Sequence, residues 1–79
     1  MRIKPINKYV LVKYNKKVSN CHLGTIVSVS ENVPIKSVNN GVKVGNQIIF
    51  TGGTCSFISS DTEYFVVALE NIIGVVEDK

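Results

Sequence analysis

Two neighbouring stretches decide how this chain folds: Tyr64-Phe65-Val66-Val67-Ala68-Leu69 and Ile72-Ile73-Gly74-Val75-Val76, joined only by Glu70-Asn71. Both are rich in β-branched and aromatic residues, whose side chains pack well on a pleated surface. A strand with one face in water alternates apolar and polar residues, and these two do not. Their continuous apolarity predicts that both faces are covered, one by the barrel interior and the other by more of the chain or by another subunit. A helical stretch around Glu70 and Asn71 is the alternative.

Working outward, no long window shows the three-and-four spacing of an amphipathic helix. The pattern predicts short strands over Tyr9–Tyr14, Gly24–Ser30, Gln47–Phe50, Cys55–Ile58, Tyr64–Ala68 and Ile72–Val76. Turn residues separate them: Asn39-Asn40-Gly41, Gly45-Asn46, Gly52-Gly53 and the hairpin tip Asp61-Thr62. Pro5 and Pro34 interrupt none of the strands. The expectation is an all-β fold, a small irregular barrel formed as a single domain over residues 1–79.

With 79 residues, such a domain has a thin core, and oligomerisation is the natural way to support it. The net charge of +3 is unevenly spread. Arg2, Lys4, Lys8, Lys13, Lys16 and Lys17 fall in residues 1–30, which hold no acid. Asp61, Glu63, Glu70, Glu77 and Asp78 lie in the stretch from Val44 to Asp78, which holds no Lys or Arg. A solvated dipolar surface explains this. So does a basic N-terminal strand beside an acidic C-terminal one, within a chain or between chains, where each opposite-charge pair adds about 0.2–1 kcal/mol.

Chemistry finds little footing. His22 is the only histidine. With Cys21 beside it and Cys55 far away, it does not supply the four ligands a structural zinc needs. Cys21 and His22 as strand neighbours point to opposite faces, so a thiol–imidazole pair requires a loop, and a surface-loop histidine is the plainer reading. Gly52-Gly53-Thr54 lacks the lysine and helix start of a phosphate loop. No cofactor, metal or catalytic residue is expected, and an enzyme on a similar barrel, such as a medium-chain dehydrogenase, is disfavoured. Tyr9 and Tyr14 stand among bases, as in barrels that bind single strands, but their odd spacing sets them on opposite faces. The Met1 stretch does not read as a signal peptide, and no apolar run approaches a membrane span. A cytoplasmic location with both cysteines reduced is expected, a Cys21–Cys55 bridge being the alternative.

Four blocks, in order, resemble the GroES-type co-chaperonins, the ten-kilodalton chaperonin family. Ile3-Lys4-Pro5-Ile6-Asn7-Lys8-Tyr9-Val10-Leu11-Val12-Lys13 is similar to the first strand of that family, and Gly24-Thr25-Ile26-Val27-Ser28-Val29 to its Gly-Glu-Val strand. Val42-Lys43-Val44-Gly45-Asn46-Gln47-Ile48-Ile49-Phe50 matches its Val-Lys-x-Gly-Asp-x-Val-x-Phe block. Glu63-Tyr64 through Glu77 follows its closing pattern. The resemblance implies a β-barrel subunit of a seven-membered homo-oligomeric ring that caps a GroEL-type chaperonin. It also implies that the N-terminal strand of one subunit (Ile3, Pro5, Ile6) meets the C-terminal strand of the next (Ile73, Val75, Val76).

The chain departs from the family in one place. Members carry a long, glycine-containing mobile loop with an apolar tripeptide that docks on the chaperonin, whereas Tyr14–Leu23 is short and has no such tripeptide. Val18 and Leu23 are its only strongly apolar members and hence the candidate chaperonin contact. Val33-Pro34-Ile35 lies instead where the family has its roof hairpin. The expected function is a co-chaperonin-like ring subunit with a weakened or lost chaperonin contact. The alternatives are a ring-forming structural or assembly protein on the same barrel, including one from a virus or another AT-rich genome, and a nucleic-acid-binding barrel.

Overall fold

The first strand is covered on both faces at its centre, where Val10, Leu11 and Val12 are all buried. Along Tyr9–Val18 (β1), Val10 and Val12 turn inward and lose all contact with solvent, while Lys13 stays exposed. The computed structural model describes residues 3–52 and 55–77. Cys21–Val29 (β2), Gln47–Phe50 (β3), Cys55–Ser59 (β4), Thr62–Ala68 (β5) and Ile72–Val75 (β6) complete one antiparallel sheet in the order β4-β5-β1-β2-β3-β6. The all-β expectation holds, and the fold fits a small GroES-like barrel.

The sheet is curled. β3 and β5 are separated by β1 and β2, and three spacings of about 4.8 Å would hold their side chains about 14 Å apart in a flat sheet. The rings of Phe50 on β3 and Phe65 on β5 are instead 5.5 Å apart between centroids. The space enclosed is filled by Val10, Val12, Ile26, Ile48, Phe50 and Val67. Gly24 permits the tight wall: a Cβ there would run into Val12 and come 3.2 Å from Phe50 Cε1.

Residues from Ser30 to Asn46 roof one end, and here expectation and structure part. No helix was foreseen, yet Ile35–Asn39 forms a five-residue helix, α1. Pro34 presets the φ of a helix start and its carbonyl accepts from Ser37 N at 3.0 Å. Gly41, at φ 112°, takes the chain out again. A helix this short cannot sustain itself in water; buried Val33 and Val42 on either side of it pin it to the core. The turn at Gly45-Asn46 behaves as the sequence suggests, with Gly45 at φ 96°. It is clasped by Gly45 N to Ile26 O and Ile26 N to Asn46 O, both 2.9 Å.

The two continuous apolar stretches have different explanations. On β5, Phe65 and Val67 face inward, while Tyr64 faces outward and stacks on Phe57 of β4 at 5.4 Å. Its second face is thus covered in part by the same chain. On β6, a register shift lies between Ile49 and Phe50, so that Ile72 pairs with Phe50 and Val75 with Ile48. Both pack on the core despite their odd spacing, and Ile73 is left outside, 59% exposed. A bulge mimics two-sided burial. The alternative helix around Glu70 and Asn71 exists only as a single 3₁₀ turn, Leu69–Asn71.

Candidate functional site: the β1–β2 hairpin and the free sheet edge

The stretch Tyr14–Leu23 is where the expectation fails most clearly. Instead of a loop between strands ending at Tyr14 and starting at Gly24, β1 runs to Val18 and β2 begins at Cys21. The ladder continues through Tyr14↔Gly24, Lys16↔Leu23, Lys17↔His22 and Val18↔Cys21, with a shift between Tyr14 and Lys16. Only Ser19-Asn20 turns the chain, Ser19 having φ 54°. A two-residue connection is what the twist of antiparallel strands favours. The turn signal was Ser-Asn between two apolar-flanked runs, masked by the lysines around it.

The register sets the faces. Directly paired residues share a face, and so do residues two apart on one strand. Val18, Cys21 and Leu23 therefore stand on the outer face, with Ile49 beside Leu23 across the β2–β3 pair. Val18, Leu23 and Ile49 are each half-buried. The two candidate contact residues are thus brought onto one surface, and Lys16, paired with Leu23, shares it.

The inner face of the same hairpin holds a cluster that sequence reasoning missed. The His22 ring lies 5.5 Å from Phe50, 5.6 Å from Phe65 in a stacked arrangement, and 5.7 Å edge-on from Tyr14. Its Nδ1 is shut from solvent and has no hydrogen-bond partner among the described residues. His22 is therefore not a surface-loop histidine. The signal was its phase: His22, Gly24 and Ile26 alternate along β2, just as Tyr14 does with Val12 and Val10. Tyr9 lies elsewhere, beside Asn7, Lys8 and Leu69, so the two tyrosines form no common platform.

The residues expected at a subunit contact divide into two groups that one chain does not pair with each other. Residues 3–6 join no strand. Pro5 is buried, Ile6 is 62% exposed, and half-buried Ile3 sits near Leu11, Phe57 and Tyr64. On β6, an edge of the sheet among the described residues, Ile73 is exposed, as is Val76 just beyond it, whereas Val75 packs on the core and against Gly41. Met1, Arg2, Gly53, Thr54, Asp78 and Lys79 lie outside the described residues, and with them part of the glycine bend and of the charged termini.

Among the described residues, no group of His, Cys, Asp and Glu could hold a metal ion, and Cys21 and Cys55 are unbridged. No described helix is long and apolar enough to cross a membrane. Among the described residues the fold is a curled six-stranded antiparallel sheet that ends on β6, consistent with the class of small GroES-like β-barrels. Residues 15–76 match the chaperonin 10 Kd subunit family, Cpn10. The chain belongs to that family, one of co-chaperonins and not of enzymes, and its function is of co-chaperonin type. No curated protein matches it.

Proposed function

We propose that the chain is a subunit of a cytoplasmic homo-oligomeric ring, a heptamer, that acts as a co-chaperonin without chemistry of its own. Its contact with a GroEL-type chaperonin is weakened or lost. The family match over residues 15–76 supports the co-chaperonin part. The closed hairpin supports the weakened contact: Val18 and Cys21 are already ladder partners across a two-residue turn.

The energetics follow from that geometry. A family loop gains affinity when an apolar tripeptide enters a groove, at an ordering cost that sevenfold avidity offsets. Val18 and Leu23 would yield at most about 1.5–3 kcal/mol each on full burial, and both are half-buried beforehand. Single-site binding to such a groove is then negligible. The ring contact joins Ile3, Pro5 and Ile6 of one subunit to the β6 edge of the next, a head-to-tail arrangement that can close and that covers an exposed strand edge.

Native mass measurement followed by a chaperonin pull-down, with and without nucleotide, tests this. A ring that binds the chaperonin weakly or not at all is the expected result. Tight binding with refolding of a chaperonin-dependent client would refute the weakened contact, and a stable monomer would refute the ring. If the ring forms and no chaperonin binds at all, the second reading, a ring-forming structural or assembly protein, takes its place; the absence of any free loop at Tyr14–Leu23 favours it. A nucleic-acid role lacks support because Tyr14 is turned into the barrel.

A further inference from the structure

We infer that Asn40-Gly41, in the roof beside β6, is a site of spontaneous covalent modification. Asn40 deamidates through a cyclic imide, the fold holds the reaction back, and the product loosens the packing of β6. None of this depends on whether the chain forms a ring or binds a chaperonin. Three observations carry it.

The first is the pair itself. Asn40 is the only asparagine in the chain that glycine follows. The reaction brings the backbone nitrogen of the next residue onto the asparagine Cγ, and a glycine there has no side chain to obstruct the approach. Asn40 is exposed, so water reaches its amide. The second is restraint. Asn40 sits at ψ 0°, away from the alignment of Cβ with the Gly41 nitrogen that closing a five-membered ring requires. Gly41 N donates to the Val38 carbonyl at 3.0 Å, and the Gly41 carbonyl accepts from Asn46 Nδ2 at 2.8 Å. Ring closure therefore waits for a local opening of the roof. The third is what Gly41 touches. A Cβ added there would come 2.9 Å from Val75 Cγ1, so the turn has no slack against β6.

The chemistry needs only water and hydroxide. Hydroxide takes the Gly41 amide proton, and that nitrogen attacks Asn40 Cγ. The N–Cγ bond forms, the Cγ–Nδ2 bond breaks, and ammonia leaves after taking a proton from water. Water then opens the imide at either carbonyl. Attack at Cγ yields aspartate on a normal backbone. Attack at the backbone carbonyl carbon yields isoaspartate, whose main chain is longer by one methylene. A longer chain at this point displaces Gly41 from its place between Val38 and Val75. Such changes alter both charge and packing.

The test is ageing of the full chain in mildly alkaline buffer, native and in urea, followed by digestion and mass spectrometry. Isoaspartate is counted with the methyltransferase that labels it. Asn20, exposed in a turn but followed by Cys21, is the internal control. Asn40 should convert first, to both products, about tenfold more slowly in the native chain than in urea. Asn46→Ala, which frees the Gly41 carbonyl, should speed the native reaction about threefold and leave the urea rate unchanged. The isoaspartate form, separated by its lower net charge, should melt about 5 °C below the unmodified chain and show shifted Val75 methyl resonances. Asn40→Asp, which adds the charge on a normal backbone, should melt as the unmodified chain does. A native chain in which Asn40 never converts, or converts as fast as in urea, overturns the inference. So does equal conversion of Asn20 and Asn40. Unchanged melting and unchanged Val75 signals in the isoaspartate form overturn the coupling to β6.

Discussion

Gly24 on β2 stands directly against Val12 on β1. A methyl group added at Gly24 would overlap Val12 Cγ1 and come 2.9 Å from the Lys13 carbonyl oxygen. Backbone cannot yield as a flexible side chain can, so the β1–β2 wall holds its spacing only because this position has no side chain. Gly24→Ala should therefore destabilise the barrel by about 1–3 kcal/mol, the usual range for overpacking. Urea unfolding checks this as a lowered midpoint at unchanged slope.

Ser30 offers a second sharp test. It is one of the buried polar residues, its Oγ donating to the Asn7 carbonyl and accepting from Asn32 N at 3.1 Å. Ser30→Ala removes both bonds and leaves two backbone groups without that partner, at a cost of about 1–3 kcal/mol. Thermal unfolding should show it, and Ser30→Thr should recover part of the loss.

Val75 and Ile73 separate folding from assembly. Val75 packs on the core and against Gly41, and Ile73 is mostly exposed on the free edge. Val75→Asp should destabilise the barrel, since it sets an unpaired charge in a half-buried position against the core. Ile73→Asp should leave subunit stability within about 0.5 kcal/mol while shifting the oligomer toward monomer. Circular dichroism and sedimentation on the same two variants give the answer.

The hairpin turn is the place to restore a family loop. Replacing the whole of Tyr14–Leu23 would remove Tyr14 and His22 from the aromatic cluster. A glycine-containing segment with a contiguous apolar tripeptide, inserted at Ser19-Asn20, keeps that cluster. Lengthening a loop costs only about 0.6 kcal/mol per doubling. The insertion should yield nucleotide-dependent chaperonin binding in a pull-down, with the melting temperature nearly unchanged.

These experiments rest on elements that the sequence revealed unequally. Gln47–Phe50 was legible to the residue because Ile48 and Phe50 alternate with polar or half-buried neighbours between clear turns. The family blocks were legible because they keep their order along the chain. The hairpin was not, because strand propensity is weak for Lys and Asn, and pairing with β2 overrides it. α1 escaped for a related reason: five residues carry too little periodicity to register, and their helicity comes from the packing of Val33 and Val42. The hairpin tip read at Asp61-Thr62 turns instead at Ser60-Asp61, both at positive φ. The phase of β6 was hidden by a bulge, a two-strand feature that no single strand announces.

The order of pairing along the sheet also sets an order in time. β1 and β2, like β4 and β5, are joined by two-residue turns, so each hairpin can zip up on the microsecond scale from local contacts alone. β3 must wait until the chain from Ser30 to Asn46 has closed, and among the described residues β6 pairs with β3 alone. In the proposed ring, the edge that meets a neighbouring subunit is therefore the last part of the sheet expected to mature. On that proposal a subunit whose β6 has not yet paired lacks the edge, and ring assembly is expected to follow completion of the sheet.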